Sequence, residues 1–427
     1  MSKSAVNTQA MPVDDAAPSR PGFGSLLRIS EFRALWLSGL LSLSGDQLAR
    51  VALTVLVYDR TQSALLAAVT FATSIVPAFI GGVALSGLAD RFPRRQFMIV
   101  VDVASCVLVA AMAVPGMPLA ALLVLLFAVT TLGTPYIAAR AGMLPDVLQG
   151  DRYVAGLAML GSTAQVAQIV GSVAGGAAVA LLGARGCLTV DAVTFAVSAL
   201  LVAARVKRRP AARAARRETP PEGAESAARA RRFDGLRTVL GGELRTWILL
   251  AWLGAFLAVP DGVVVPLSRS VGGGAVTAGV LLAVSAAGAV VGFTAVSKLP
   301  QQRQVRLVKP LAVASCAALA LFALRLPAGG MAAVLVAVGL LACYQIPINA
   351  LWVLATPPAR RSQVSGIVNA GLALGQGGAM VAAGAVAEWI PVSDVVALSG
   401  ALGAVLAAAV ILGAVRGARP RSARAGR

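Results

Sequence analysis

The sequence predicts an all-α integral membrane protein of twelve transmembrane helices in two pseudo-symmetric six-helix bundles, and three observations carry the prediction. The chain is apolar throughout: 58% of its 427 residues are hydrophobic and 13% charged, with a mean hydropathy of +0.82, against roughly 25% charged residues in soluble domains. Twelve stretches supply the ~20 apolar residues that a helix needs to cross a hydrocarbon core of about 30 Å. Landmarks of the first half recur in the second at one offset, 210 to 215 positions: Pro135 and Pro145 as Pro347 and Pro357, Gly156 and Gly161 as Gly366 and Gly371, Asp46 as Asp261.

Residues 1–30 are polar and contain prolines, with no apolar signal segment, and are expected to form a disordered tail. An N-terminal bundle follows over 31–206, with spans near 34–57, 63–88, 96–115, 118–140, 153–183 and 187–206. Its turns are marked by Asp59-Arg60-Thr61, Pro115-Gly116-Met117-Pro118 and Gly183-Ala184-Arg185-Gly186. Residues 207–244 hold Lys207, Arg208, Arg209, Arg213 and further arginines among Ala, Pro and Glu. Such a segment cannot bury a core and reads as a basic linker. The C-terminal bundle occupies 245–416, with spans near 246–268, 274–297, 308–325, 330–354, 363–388 and 392–415. Gly272-Gly273-Gly274 and Pro327-Ala328-Gly329-Gly330 mark its turns, and 417–427 is a basic tail.

The net charge is +19, from 37 Lys and Arg against 18 Asp and Glu. The basic residues fall between apolar spans, not on one soluble module, so membrane topology explains them and nucleic acid is not an expected partner. With both termini cytoplasmic, only Arg60, Arg185, Arg269 and Arg325 fall outside, which is the orientation the positive-inside rule selects. A multi-pass plasma-membrane protein, monomeric in the lipid bilayer, is expected.

The chain has no histidine, so His-based triads and His metal sites are excluded. Cys106, Cys187, Cys316 and Cys343 stand singly in or beside apolar segments and read as small core residues. No GxxxxGK[ST] loop is present to bind ATP phosphates. No nucleophile and base pair stands out. No cofactor, no metal and no enzymatic activity are expected.

The informative charges lie inside spans, where insertion of an ionised group is opposed by about 2.5 to 3.5 kcal/mol. Asp46 and Arg50 are one turn apart on span 1 and share a face: they are either a self-neutralised couple or a proton carrier with its partner. Asp261, on span 7, is either a second proton-exchanging acid or a wetted residue near the outer mouth. Asp102 and Arg140 are expected at similar depth as a structural charge pair, and Asp191 as structural. Tyr344, Gln345, Asn349 and Asn369 either line a cavity or hydrogen-bond between helices. Gly171, Gly175 and Gly176 permit close helix contact.

Between spans 2 and 3 the loop SGLADRFPRR, Ser86 to Arg95, resembles the G-x-L-a-D-r-x-G-r-k signature of the major facilitator superfamily, with Ser86 and Pro93 in place of its two glycines. Within it, Phe32 to Leu65, Arg140 to Leu160 and Leu188 to Val202 resemble the branch of macrolide and enterobactin exporters. AQIVGSVAGG matches part of that branch's fifth-span antiporter pattern, with Ser172 at the proline. The resemblance implies the two-bundle major facilitator fold and alternating access. It implies that Asp90 and Arg91, with Arg94 and Arg95, latch the cytoplasmic side; the alternative is that these arginines only set topology. Two parallel six-span repeats with a midplane site are an alternating-access architecture. The expected function is proton-coupled export of hydrophobic or amphipathic small molecules. Proton-coupled import of a small polar metabolite is the alternative, and a non-transporting scaffold or sensor the remote one.

Overall fold

The computed structural model describes residues 23–77, 92–209, 242–356 and 361–417. Among them every regular element is a helix. Ten described helices are long and apolar enough to cross a membrane, and two facts raise the number of spans to twelve. The stretch Asp151–Arg205 is helical except at Gly183, whose φ of 70° and ψ of 169° break it. Gly171 packs on Gln47 and Asp191 packs beside Gly45, so the chain has reversed direction between them. Glycine is what lets residue 183 adopt that positive φ. Span 2 is represented by the helix Ala64–Thr73, and its remainder lies outside the described residues.

The other spans follow the expected order. Span 1 is Ser30–Thr61, closed by Gln62 in a left-handed conformation. Span 3 is Arg94–Met112, span 4 Leu119–Val147, and spans 5 and 6 are the two limbs on either side of Gly183. Span 7 is discontinuous, built of Gly242–Trp252, Gly254–Leu257, Val259–Gly262 and Val264–Ser270. Pro260 removes a backbone donor here, and irregular backbone at membrane depth is tolerated only where protein surrounds it. Span 8 is Ala275–Ser297, and span 9 is Gln301–Leu319 ending in a tight turn to Leu324. Span 10, Ala328–Leu341 and Gln345–Ala355, is interrupted at Ala342–Tyr344. Spans 11 and 12 are Arg361–Val386 and Val392–Gly417.

Two expectations are corrected at the edges of the bundles. The tail expected to reach residue 30 already folds at Phe23–Leu27, where Leu26 is fully buried against Phe32, Leu144, Leu148 and Met159. The linker expected from 207 is anchored at its start: Arg209 pairs with Glu31, and Lys207 N–H donates to Glu31 Oε1 at 2.9 Å.

The end carrying residues 59–63, 184–187, 269–274, 325–327 and 388–391 is the distal end, opposite the start of span 1 and the end of span 12. Near it the two bundles touch backbone to backbone. A Cβ built on Gly176 of span 5 would lie 2.5 Å from the Ala275 carbonyl and 3.1 Å from Gly279 Cα on span 8. Gly384 of span 11 meets Ala68 and Leu65 of span 2 in the same way. Small residues at such crossings let helices approach closely where no hydrophobic force drives them together. Gly171 and Gly175 pack span 5 on Gln47 and Val51 of span 1 within the first bundle, so all three glycines sit at helix contacts.

Candidate functional site

Span 1 presents Gly39, Ser42, Leu43, Asp46, Ala49 and Arg50 to a cavity of about 220 Å³. These positions recur at steps of three and four, which a helix of 3.6 residues per turn places on one face. Its facing walls include Asp102 and Ser105 of span 3, Tyr136 and Arg140 of span 4, and Asp191 and Phe195 of span 6. Every lining residue belongs to the first bundle.

The expected Asp102–Arg140 bridge is not formed. Both line the cavity, but no ion pair within 4.0 Å joins them among the described residues. Asp102, 1% exposed, instead accepts a hydrogen bond from Ser198 Oγ at 2.7 Å. Tyr136 Oη lies 3.3 Å from the same Ser198 Oγ. With the serine proton given to the carboxylate, the tyrosine hydroxyl is the donor to Ser198. Equal depth was legible from sequence; the direction in which each side chain points around its helix was not. Asp191, expected to be structural, is 1% exposed and lines the cavity beside Asp46, with Thr194 Oγ1 3.2 Å from its Oδ1.

Asp46 and Arg50 share a face, but among the described residues they do not close an ion pair within 4.0 Å. The Arg50 guanidinium lies over the Phe71 ring of span 2, 5.7 Å from its centroid, a cation–π distance. Its Nε is buried without a hydrogen-bond partner among the described residues. Arg50 is in electrostatic range of both Asp46 and Asp261. The partner of Asp261 thus comes from the opposite bundle. The break in span 7 at Val259–Gly262 is what carries this acid.

The remaining expected residues disperse. Asp90 and Arg91 lie outside the described residues. Arg94 and Arg95, expected in a latch between halves, bind within their own bundle: Arg94 donates to the Gly142 carbonyl and stands 3.9 Å from Asp146, and Arg95 donates to the Ala203 carbonyl. Tyr344 is fully buried in the second bundle's core with Ile348 and Trp352, away from the cavity. Gln345 packs against Gly254, Asn349 Oδ1 accepts from Trp352 Nε1 at 3.0 Å, and Asn369 is exposed on span 11. None of these four lines the described cavity.

Two contacts at the distal end had no counterpart in the expectations. Arg269 Nη2 donates to Asp59 Oδ1 at 2.8 Å. Glu388 Oε1 accepts from Ser63 Oγ at 2.7 Å and from Leu65 N–H at 2.9 Å. Both join the first bundle to the second. The sequence signals only the first, by opposite charge in distal loops.

A two-bundle helical membrane fold with buried charges at its centre defines a multi-pass transporter. The chain belongs to the Major Facilitator Superfamily, whose family model matches residues 35–380. Among solved structures it is similar to a POT family transporter in complex with 5-aminolevulinic acid, with a TM-score of 0.72 and 11% identity over 93% of this chain and 98% of that one. A mutant of the peptide transporter POT in complex with alafosfalin gives 0.71 and 14% over 93% and 96%. A bacterial homolog to the human lysosomal transporter Spinster, inward-facing and occupied, gives 0.61 and 14% over 90% and 96%. At these identities the likeness is one of fold. No curated protein matches the chain.

Proposed function

We propose that the chain is a proton-coupled secondary transporter that takes up a small polar molecule by alternating access, holding it in the cavity of the first bundle. The observation that carries this reading is the charge of that cavity. Three carboxylates, Asp46, Asp102 and Asp191, face two guanidiniums, Arg50 and Arg140. A net charge inside a bilayer is opposed by kilocalories per mole. Asp261 of the second bundle shares Arg50, so the acids outnumber the guanidiniums further, and a neutral cargo is accompanied most cheaply by protons on the unbalanced carboxylates. That is symport, and the proton gradient across a plasma membrane then drives uptake. The structures bound to 5-aminolevulinic acid and to alafosfalin support a polar cargo for this fold.

Asp46 and Asp261 are the proton-exchanging acids in this reading, with Arg50 between them. The positive-inside balance supports cytoplasmic termini. The bundles' contacts at the distal end then correspond to an inward-facing state. The segment 207–244 acts as a linker between the bundles and the protein works as a monomer.

A second reading, export of hydrophobic or amphipathic compounds by proton antiport, is supported by the resemblance of Phe32 to Leu65 and Leu188 to Val202 to macrolide and enterobactin exporters. Transport into right-side-out and everted vesicles under an imposed proton gradient separates the two. Uptake predicts accumulation of a polar solute in right-side-out vesicles, abolished by collapsing the gradient. Export predicts lowered accumulation of a lipophilic dye in a drug-sensitive host. If Asp46→Asn and Asp261→Asn both transport as the native chain does, the coupling assignment is wrong.

A further inference from the structure

We infer that the cavity inside the first bundle binds a zwitterion, with a carboxylate on Arg140 at one end and an ammonium group between Asp46 and Asp191 at the other, about 5 Å apart. The inference rests on the transporter reading above and names the cargo class for it.

The two ends are fixed by span 1. The Arg140 guanidinium lies against Gly39, where any side chain would collide with Nη1. Among the described residues it has neither a hydrogen bond nor an ion pair. The acid in its electrostatic range, Asp102, is engaged by Ser198. A guanidinium at a cavity wall with its fork of donors unengaged suits a planar carboxylate. Asp46 stands seven residues beyond Gly39, two helix turns along and on the same face, a rise of about 10 Å. Asp191 reaches the same level, since a side chain at Gly45 would collide with its Oδ1. One charge-assisted hydrogen bond of about 2.8 Å at each end leaves about 5 Å between the ligand's own charges. That matches a four-carbon ω-amino acid in extended form.

The volume agrees. A cavity of about 220 Å³ falls below the roughly 300 to 1,000 Å³ that drug-sized ligands occupy. The walls offer Val101 and Phe195 to methylene groups, beside the hydroxyls of Ser42 and Ser105.

The test uses the purified full-length chain, titrated calorimetrically with glycine, 3-aminopropanoate, 4-aminobutanoate, 6-aminohexanoate, butanoate and butylamine. Native protein is expected to bind 4-aminobutanoate about tenfold more tightly than either single-charge analogue or either end of the ladder. Arg140→Gln is expected to lower 4-aminobutanoate affinity to that of butylamine while butylamine binding is kept, which shows that the variant folds and that its acidic end survives. Equal binding of all six probes by the native chain, or binding of none, overturns the zwitterion site. Proton-driven transport of some other solute in vesicles then leaves the transporter reading standing. A graded ladder without proton-linked transport of any solute overturns that reading and keeps the site.

Discussion

Arg269, just past the broken span 7, donates a 2.8 Å hydrogen bond to Asp59 at the end of span 1, and so ties the two bundles together at the distal end. The pair is half exposed, 42% and 47%, so it contributes only about 0.2 to 1 kcal/mol. Such a bond holds one state without trapping the protein in it. Asp59→Asn should raise the population separated at the distal end by up to about fivefold. Spin labels at Thr61 and Ser270, in a background without the four native cysteines, report this as a longer-distance component. The swap Asp59→Arg with Arg269→Asp should restore the native distribution, and its failure to do so would show that the ion pair does not set the closure.

Glu388 offers a pH-dependent version of the same closure. The Leu65 N–H and the Ser63 hydroxyl bond its carboxylate and hold its pKa below the usual glutamate value. A lowered pKa means that the ionised form is favoured in the closed state. Its contribution is therefore complete above the ordinary value of about 4.3 and is lost as pH falls through the lowered one. The carboxylate also faces the N-terminal end of the helix Ala64–Thr73, where negative charge is favourable. The distal distance distribution should broaden in acid for the native chain and broaden less for Glu388→Gln. Identical acid profiles for the two would remove Glu388 from the closure.

The approach of Gly176 to Ala275 and Gly279 makes a steric prediction. Gly176→Leu places a side chain where the backbone of span 8 already lies 2.5 Å from the missing Cβ. Overpacking of this kind is opposed by about 1 to 3 kcal/mol, enough to depopulate the distal closed state by about fivefold to a hundredfold. Vesicle transport should fall by about tenfold at unchanged membrane abundance. Gly171→Ala, which meets Gln47 Cβ at 2.9 Å within the first bundle and no residue of the second, should leave the distal closure less affected than Gly176→Leu.

The fold was legible because a span is a one-dimensional signal: twenty apolar residues between polar turns read the same in any sequence. Gly183 and the span 1 stripe of Asp46 and Arg50 were visible for the same reason, one from its turn context and the other from helical spacing. What was hidden depends on rotation about helix axes and on which helices meet. Asp102 and Arg140 are level in the membrane, yet Ser198 takes the acid, and no linear pattern announces that serine. The loop motif groups Arg94 and Arg95, but it does not announce the carbonyls of Gly142 and Ala203 to which they donate within the first bundle. The choice for Asp261 between a proton-exchanging acid and a wetted residue stayed open in the sequence because its cation, Arg50, comes from the other half of the chain.

That last pairing gives the sharpest prediction. Arg50 is the cation in range of both Asp46 and Asp261, one from each bundle, and its Nε is buried without a partner among the described residues. Removing one partner of a buried charge set leaves the others uncompensated, a loss of about 3 to 5 kcal/mol, whereas replacing the set together is often neutral. Arg50→Leu should therefore lower the thermal unfolding midpoint in detergent sharply. Adding Asp261→Asn to Arg50→Leu should recover much of that loss, although Asp261→Asn in the native background is itself expected to destabilise or be neutral. The cation–π contact with Phe71 is absent in both Leu variants, so it cancels in this comparison. A double-mutant cycle with a coupling near zero would mean that Arg50 and Asp261 do not interact, and would leave Asp261 without the cross-bundle partner assigned to it.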